Sequence, residues 1–129
     1  MDIERTAVII RDAIRDIPKQ FDDNKTRITE IENEIMDVEH YLEFCRFNAF
    51  EGWEYANQIK ELRIERRKLK DENDELRHVV GLMQEMKKKA VQFDNAIGNI
   101  RKSKGNRIKR GYRCRVRLDL QNKINGVKK

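Results

Sequence analysis

The sequence predicts an all-α protein: a long antiparallel helical hairpin, coiled-coil-like, closed by a short basic β-strand-like or extended C-terminal segment. Three observations predict it. Two apolar stripes advance in alternating steps of four and three residues, a turn signal separates them, and positive charge gathers beyond residue 100. With 129 residues there is room for one domain, and 40% charged residues with one proline suit long solvated helices better than a thick globular core.

The first arm, about residues 3–46, carries Ile3, Ala7, Ile10, Ile14, Ile17, Phe21, Ile28, Ile31, Ile35, Val38, Leu42 and Cys45. One polar residue, Asn24, occupies the place between Phe21 and Ile28. A stripe kept in phase for six heptads is the signature of one continuous coiled-coil face. Pro18 falls inside it, and proline removes a hydrogen bond and crowds the preceding turn, so a kink or brief break is expected there.

"RFNAFEGW" separates the arms, with Asn48 and Gly52 supplying turn chemistry. The second arm, about residues 50–100, repeats the pattern through Tyr55, Ile59, Leu62, Arg66, Leu69, Asn73, Leu76, Val80 and Met83. Its stripe then slips by three residues to Met86, Ala90, Phe93, Ile97 and Ile100, a discontinuity that overwinds a coiled coil locally. Folding the chain back near residue 48 pairs positions whose numbers total about 97. That register sets Asn24 against Asn73, a buried polar pair of the kind that fixes alignment. It also sets Arg66 near Ile31, between Glu30 and Glu34, and Pro18 opposite Val80 and Gly81. Charge agrees, since residues 24–46 hold six acids and three bases whereas 58–70 hold six bases and two acids.

Two helices give each stripe a single partner, so a homo-oligomer, dimer or higher, is expected. Tyr41, Phe44, Phe47, Phe50 and Trp53 cluster at the turn end, either as a mini-core closing the hairpin or as a partner interface.

Residues 1–100 therefore form the helical body and 101–129 the basic segment. The latter holds twelve Lys/Arg against the single acid Asp119, so it carries +11 and leaves −5 of the net +6 to the first hundred residues. Such asymmetry belongs to chains that meet polyanions or acidic surfaces. "RKSKGNRIKRG" (101–111) reads as a linker. After it Tyr112, Cys114, Val116, Leu118 and Leu120 alternate with Arg113, Arg115, Arg117 and Asp119, the period of a two-faced strand. A helical alternative uses Ile108, Tyr112, Val116, Leu120 and Ile124 at four-residue spacing. A strand here needs a mate: "NAIGNIR" upstream, a second protomer, or an external sheet. In either form Arg107, Lys109, Arg110, Tyr112, Arg113, Arg115 and Arg117 make a candidate anion- or nucleic-acid-binding surface, for which the arginine fork is well suited.

Other chemistry is not called for. No glycine-rich phosphate loop and no Ser/His/Asp or Cys/His constellation occurs, so no enzyme and no cofactor are expected. Cys45, Cys114, His40 and His78 lack ligand spacing, so no metal is expected either. With no bilayer-spanning apolar run and no signal-like opening, a cytoplasmic place and no membrane partner are expected.

The stretches "HYLEFCRFNAFEGWEYANQIKELRIERRKLKDENDEL" (40–76) and "YRCRVRLDL" (112–120) resemble small helical-hairpin accessory proteins of bacteriophages and prophages of Gram-positive bacteria. The resemblance implies a phage-type accessory protein in the cytoplasm of a bacterial host, binding stoichiometrically to inhibit a host process or defence. It implies no particular site residue. The expected partner is an anionic ligand, nucleic acid or a nucleotide signal, held by the basic segment. The alternatives are a protein inhibitor docking on a host enzyme through the hairpin, and a structural coiled-coil assembly component.

Overall fold

The computed structural model describes residues 1–127, and every regular element among them is helical. Helix α1 (Ile3–Phe44) is followed by α2 (Ala49–Glu85) and α3 (Lys87–Lys109). A 3-10 turn (Leu118–Leu120) then leads into the short helix α4 (Gln121–Val127). The chain divides into two compact units: Ala13–Lys87, and Met1–Asp12 together with the chain from Lys88 onward.

Local chemistry sets the helix ends. Asp2 opens α1: its carboxylate accepts from the Arg5 N–H at 3.1 Å, and its carbonyl takes the Thr6 hydroxyl at 2.9 Å. Asn48, with extended backbone, caps α2 by accepting the Glu51 N–H at 2.8 Å. Gly52 lies in the first turn of α2 with the Phe47 ring against it, and a Cβ there would stand 3.0 Å from that ring. Glycine at this site lets the ring sit close over the helix start. Pro18 causes no break, and α1 runs through it uninterrupted. The carbonyl whose bond proline forfeits is one among many in a 42-residue helix, and the stripe on either side holds the helix in phase. The break falls instead at Met86, between α2 and α3, where the stripe slips.

Within the Ala13–Lys87 unit, the asparagines meet: Asn24 Nδ2 donates to Asn73 Oδ1 at 2.9 Å. Tyr41 packs on Tyr55 with ring centroids 4.8 Å apart, and Arg66 reaches Glu32 at 2.9 Å. Partner numbers rise on α1 as they fall on α2, so the two helices lie antiparallel in the register that pairs the asparagines. Arg66 takes Glu32, however, and not Glu30 or Glu34. Those two face Arg27, which also makes a two-pronged bond to Glu65 at 2.9 and 3.1 Å. Pro18 shares a recess with Gln84 and Lys87, one turn beyond the expected Val80 and Gly81.

In the other unit, Arg11 bonds Asp94 at 3.1 Å, and Glu4 holds Arg101 at 3.5 Å and Lys104 at 3.2 Å. Partners here total about 105, so the alignment of α1 with α2 does not carry over to α3.

Among the described residues, the buried ones sit on the stripes: Ala7, Ile14, Asn24, Ile31, Ala90 and Ile97. Cys114 is the exception. Cys45, at the end of the first stripe, is exposed.

The C-terminal expectation is corrected. No strand occurs among the described residues, and the supposed linker is mostly helix, because α3 continues to Lys109. The boundary set at residue 101 therefore falls inside α3. Lys and Arg are good helix formers, and Gly105 costs only about 1 kcal/mol relative to alanine. Glu4 further pins this stretch through Arg101 and Lys104, while Arg107 and Lys109 complement the negative end of the helix dipole. Lys128 and Lys129 lie outside the described residues.

Candidate anion-binding surface

Helix α3 closes when the Arg110 N–H bonds the Asn106 carbonyl at 2.8 Å. Residues 110–117 are then neither helix nor strand. Gln121 shapes this stretch. Its Nε2 donates to the Tyr112 carbonyl at 2.7 Å, and its Oε1 accepts the Cys114 N–H at 2.5 Å. One side-chain amide thus meets the backbone of residues i and i+2, the two groups a neighbouring strand would have engaged. The mate expected from a sheet is a glutamine ten residues or fewer along the same chain. Cys114, centred on this clamp, is the one residue of the stretch that is buried.

Beyond it, the Leu118 N–H bonds the Val116 carbonyl at 3.0 Å and the Leu120 N–H bonds the Arg117 carbonyl at 3.0 Å. These tight turns end the alternation, so Val116 and Leu118 are left exposed and do not line one face of a sheet.

The seven residues expected to bind an anion separate into two groups. Arg107 and Lys109 occupy the last turn of α3, and Arg110, Tyr112, Arg113 and Arg115 follow in the irregular stretch. All six are exposed, and among the described residues none of these five cations is held in an ion pair. Arg117 differs: it grips Asp119 through two bonds of 2.9 and 2.7 Å. That grip holds the Asp119 carboxyl below the usual carboxylate range and raises the Arg117 guanidinium above its ordinary value. Arg117 is therefore partly neutralised and serves to shape the turn. Reading 101–111 as a linker hides Lys102. On a helix it lies seven residues, or two turns, before Lys109 and on the same face, and it too is exposed. Gly111, Tyr112, Arg113, Cys114, Leu118 and Gln121 line a shallow, open recess at the centre of this region.

The aromatic residues at the turn form a second candidate surface. Tyr41 is half-buried against Tyr55, and desolvation, with Tyr55 beside it, pushes its phenol above the usual value. Phe44 is 75% exposed and Phe50 and Trp53 are each 63% exposed, the last two stacked with centroids 6.2 Å apart. Phe47, though seated on Gly52, is also largely open. Only Tyr41 behaves as part of a core.

The chain matches no family model, no curated protein and no solved structure. No helix among the described residues is long and apolar enough to cross a membrane.

Proposed function

We propose that this is a non-enzymatic accessory protein of the kind bacteriophages encode, acting by stoichiometric binding to inhibit a host process or defence. Its cationic end engages the phosphates of a nucleic acid. One observation carries the reading: Arg107, Lys109, Arg110, Arg113 and Arg115 are exposed, close in sequence and unpaired among the described residues. With Lys102 they make six cations, and the exposed ring of Tyr112 offers a face for a base. A free nucleotide signal is the other anion such a surface takes. The recess at Tyr112 is open and shallow, which suits a polymer backbone better than an enclosed mononucleotide.

Salt dependence tests it. Titration of a fluorescent 20-base-pair duplex between 50 and 200 mM salt should give a log–log slope near −5, as expected for about six neutralised phosphates. Converting Arg113 and Arg115 to alanine should flatten that slope by about 2. A slope near zero overturns the reading.

A second reading rests on the exposed Phe44, Phe50 and Trp53: the protein occludes a host enzyme through this apolar end. Host protein retained after nuclease treatment, lost in Trp53→Ala but kept in the Arg113/Arg115 variant, supports it over the first.

A further inference from the structure

Helix α2 has 37 residues and buries none of them, although its stripe is apolar at most positions. Along one flank, beside the stripe residue Ile59, an open groove is lined by Ala56, Lys60, Arg63, Ile64, Arg67 and Lys68. Ile64 is 48% exposed at its centre, and Lys60, Arg67 and Lys68 have no ion pair among the described residues. An exposed isoleucine ringed by unpaired cations calls for a partner with an apolar knob among acids.

Such a knob exists on α1, within the same Ala13–Lys87 unit. Residues 28–45 contain six acids and no lysine or arginine, and Met36 stands among them 51% exposed. Its side of the helix is fixed by its neighbours. Glu32, one turn before, reaches Arg66 and Lys70, and Glu39, one turn after, reaches Arg63, which lines the groove. Met36 and the groove therefore share one broad face of the helix pair.

They also stand at one height. In the register set by Asn24 with Asn73 and Glu32 with Arg66, position 36 on α1 is level with position 61 or 62 on α2. That is the middle of the groove. A two-fold axis parallel to the helices lays α1 of one copy over α2 of the other without changing height. Met36 of each copy then enters the partner copy's groove beside Ile64, with Glu32 level with Arg67 and Glu43 toward the Lys60 end.

We propose that this face is where a second copy of the chain docks, forming a two-fold pair of helical hairpins in which each α1 acidic edge covers the other copy's α2 basic groove. The match is self-complementary, as an isologous interface requires. It covers the exposed Ile64 on α2, beside the stripe that already packs on α1. The inference stands apart from the anion-binding reading.

Sedimentation and light scattering of the full chain, freed of nucleic acid by nuclease, test it at tens of micromolar. The expected mass is that of two chains. Ile64→Asp and Met36→Asp should each give single chains of unchanged helicity, since both side chains are half exposed and removing either opens no core. Should Ile64→Asp lose helicity, Lys60→Glu with Arg67→Glu decides, because both residues are exposed. That variant should weaken pairing at least about tenfold by setting acids against acids. A single-chain wild type, a stoichiometry other than two, or a dimer that these variants leave intact overturns the proposal.

Discussion

Replacing Asn73 with alanine tests the alignment of α1 with α2 most directly. Asn24 is 3% exposed, and both ends of its amide are engaged. Its Oδ1 accepts from Gln20 Nε2 at 2.8 Å, and its Nδ2 donates to Asn73 Oδ1 at 2.9 Å. Asn73 in turn donates to the Phe21 carbonyl at 3.2 Å. In Asn73→Ala the Asn24 donor keeps its burial and loses its acceptor. A buried unsatisfied donor costs about 1–3 kcal/mol, and the half-buried setting of Asn73 admits some water, so a loss of about 2 kcal/mol is expected. The double variant Asn24→Leu/Asn73→Leu should behave oppositely. It removes both desolvation penalties and adds two apolar side chains worth roughly 1.5–3 kcal/mol each when fully buried, so it should equal or exceed the wild type. The gain comes with a loss of uniqueness, because nothing polar then resists sliding by a heptad.

Urea unfolding followed by circular dichroism at 222 nm reads both effects, at one protein concentration so that association does not shift the midpoint. A double-mutant cycle of Asn24→Leu, Asn73→Leu and the pair together should return a coupling of about 2 kcal/mol or more. A single-site loss below about 0.5 kcal/mol, or a coupling near zero, would refute the view that this pair locks the register.

Ile31 is fully buried, and Ile31→Ala should cost about 2–4 kcal/mol in the same assay, whereas Ile9→Ala, at a largely exposed site, should cost under about 1 kcal/mol. Glu65 gives a pH signature: the Arg27 guanidinium bonded to it holds its carboxyl below the usual range. The folded group thus binds a proton less readily than the unfolded one. Its stabilisation is complete above the ordinary value near 4.3 and disappears as pH falls through the lower folded value. Thermal melts should show the wild type losing stability below about pH 4.5 more steeply than Glu65→Gln. Gln121→Leu removes both bonds that fix Tyr112 and Cys114, so tryptic cleavage after Arg113 or Arg115 should quicken while helicity is kept.

The parts of the fold legible in the sequence are those set by a long repeat. Ala7, Ile14, Asn24, Ile31, Ala90 and Ile97 could be picked out because a period sustained over many turns leaves one face to bury, whatever any single residue prefers. The Asn24–Asn73 contact was legible for the same reason, since a polar interruption in each stripe admits few alignments. Ion pairs were less so. Arg66 chose Glu32 over Glu30 and Glu34 because a long side chain settles by local geometry, at a scale finer than the heptad. Pro18 does not break the helix, because the packing of a continuous stripe outweighs a proline's local penalty.

The C-terminal stretch failed for the converse reason. From Tyr112 to Leu120 there are only nine residues, and alternation that short is matched by an extended chain as well as by a strand. What distinguishes them is where the backbone hydrogen bonds go, and here the decisive group is a side chain, Gln121, just outside the alternating run. Nothing in a period-two pattern announces an amide that will stand in for a neighbouring strand. The cations themselves were legible, because exposure and charge follow from composition more than from the element that carries them. Their geometry was not. With the stretch clamped by Gln121 and α3 running to Lys109, the cations lie on a helix end and on the irregular chain that follows it, and Lys102 joins them from two turns below Lys109. The exposed Tyr112 ring offers a face on which an unpaired base can stack, which suits a flexible single strand better than a straight duplex. Comparing single-stranded with double-stranded oligonucleotides of equal length at matched salt should therefore favour the single strand, and the reverse preference would count against stacking on Tyr112.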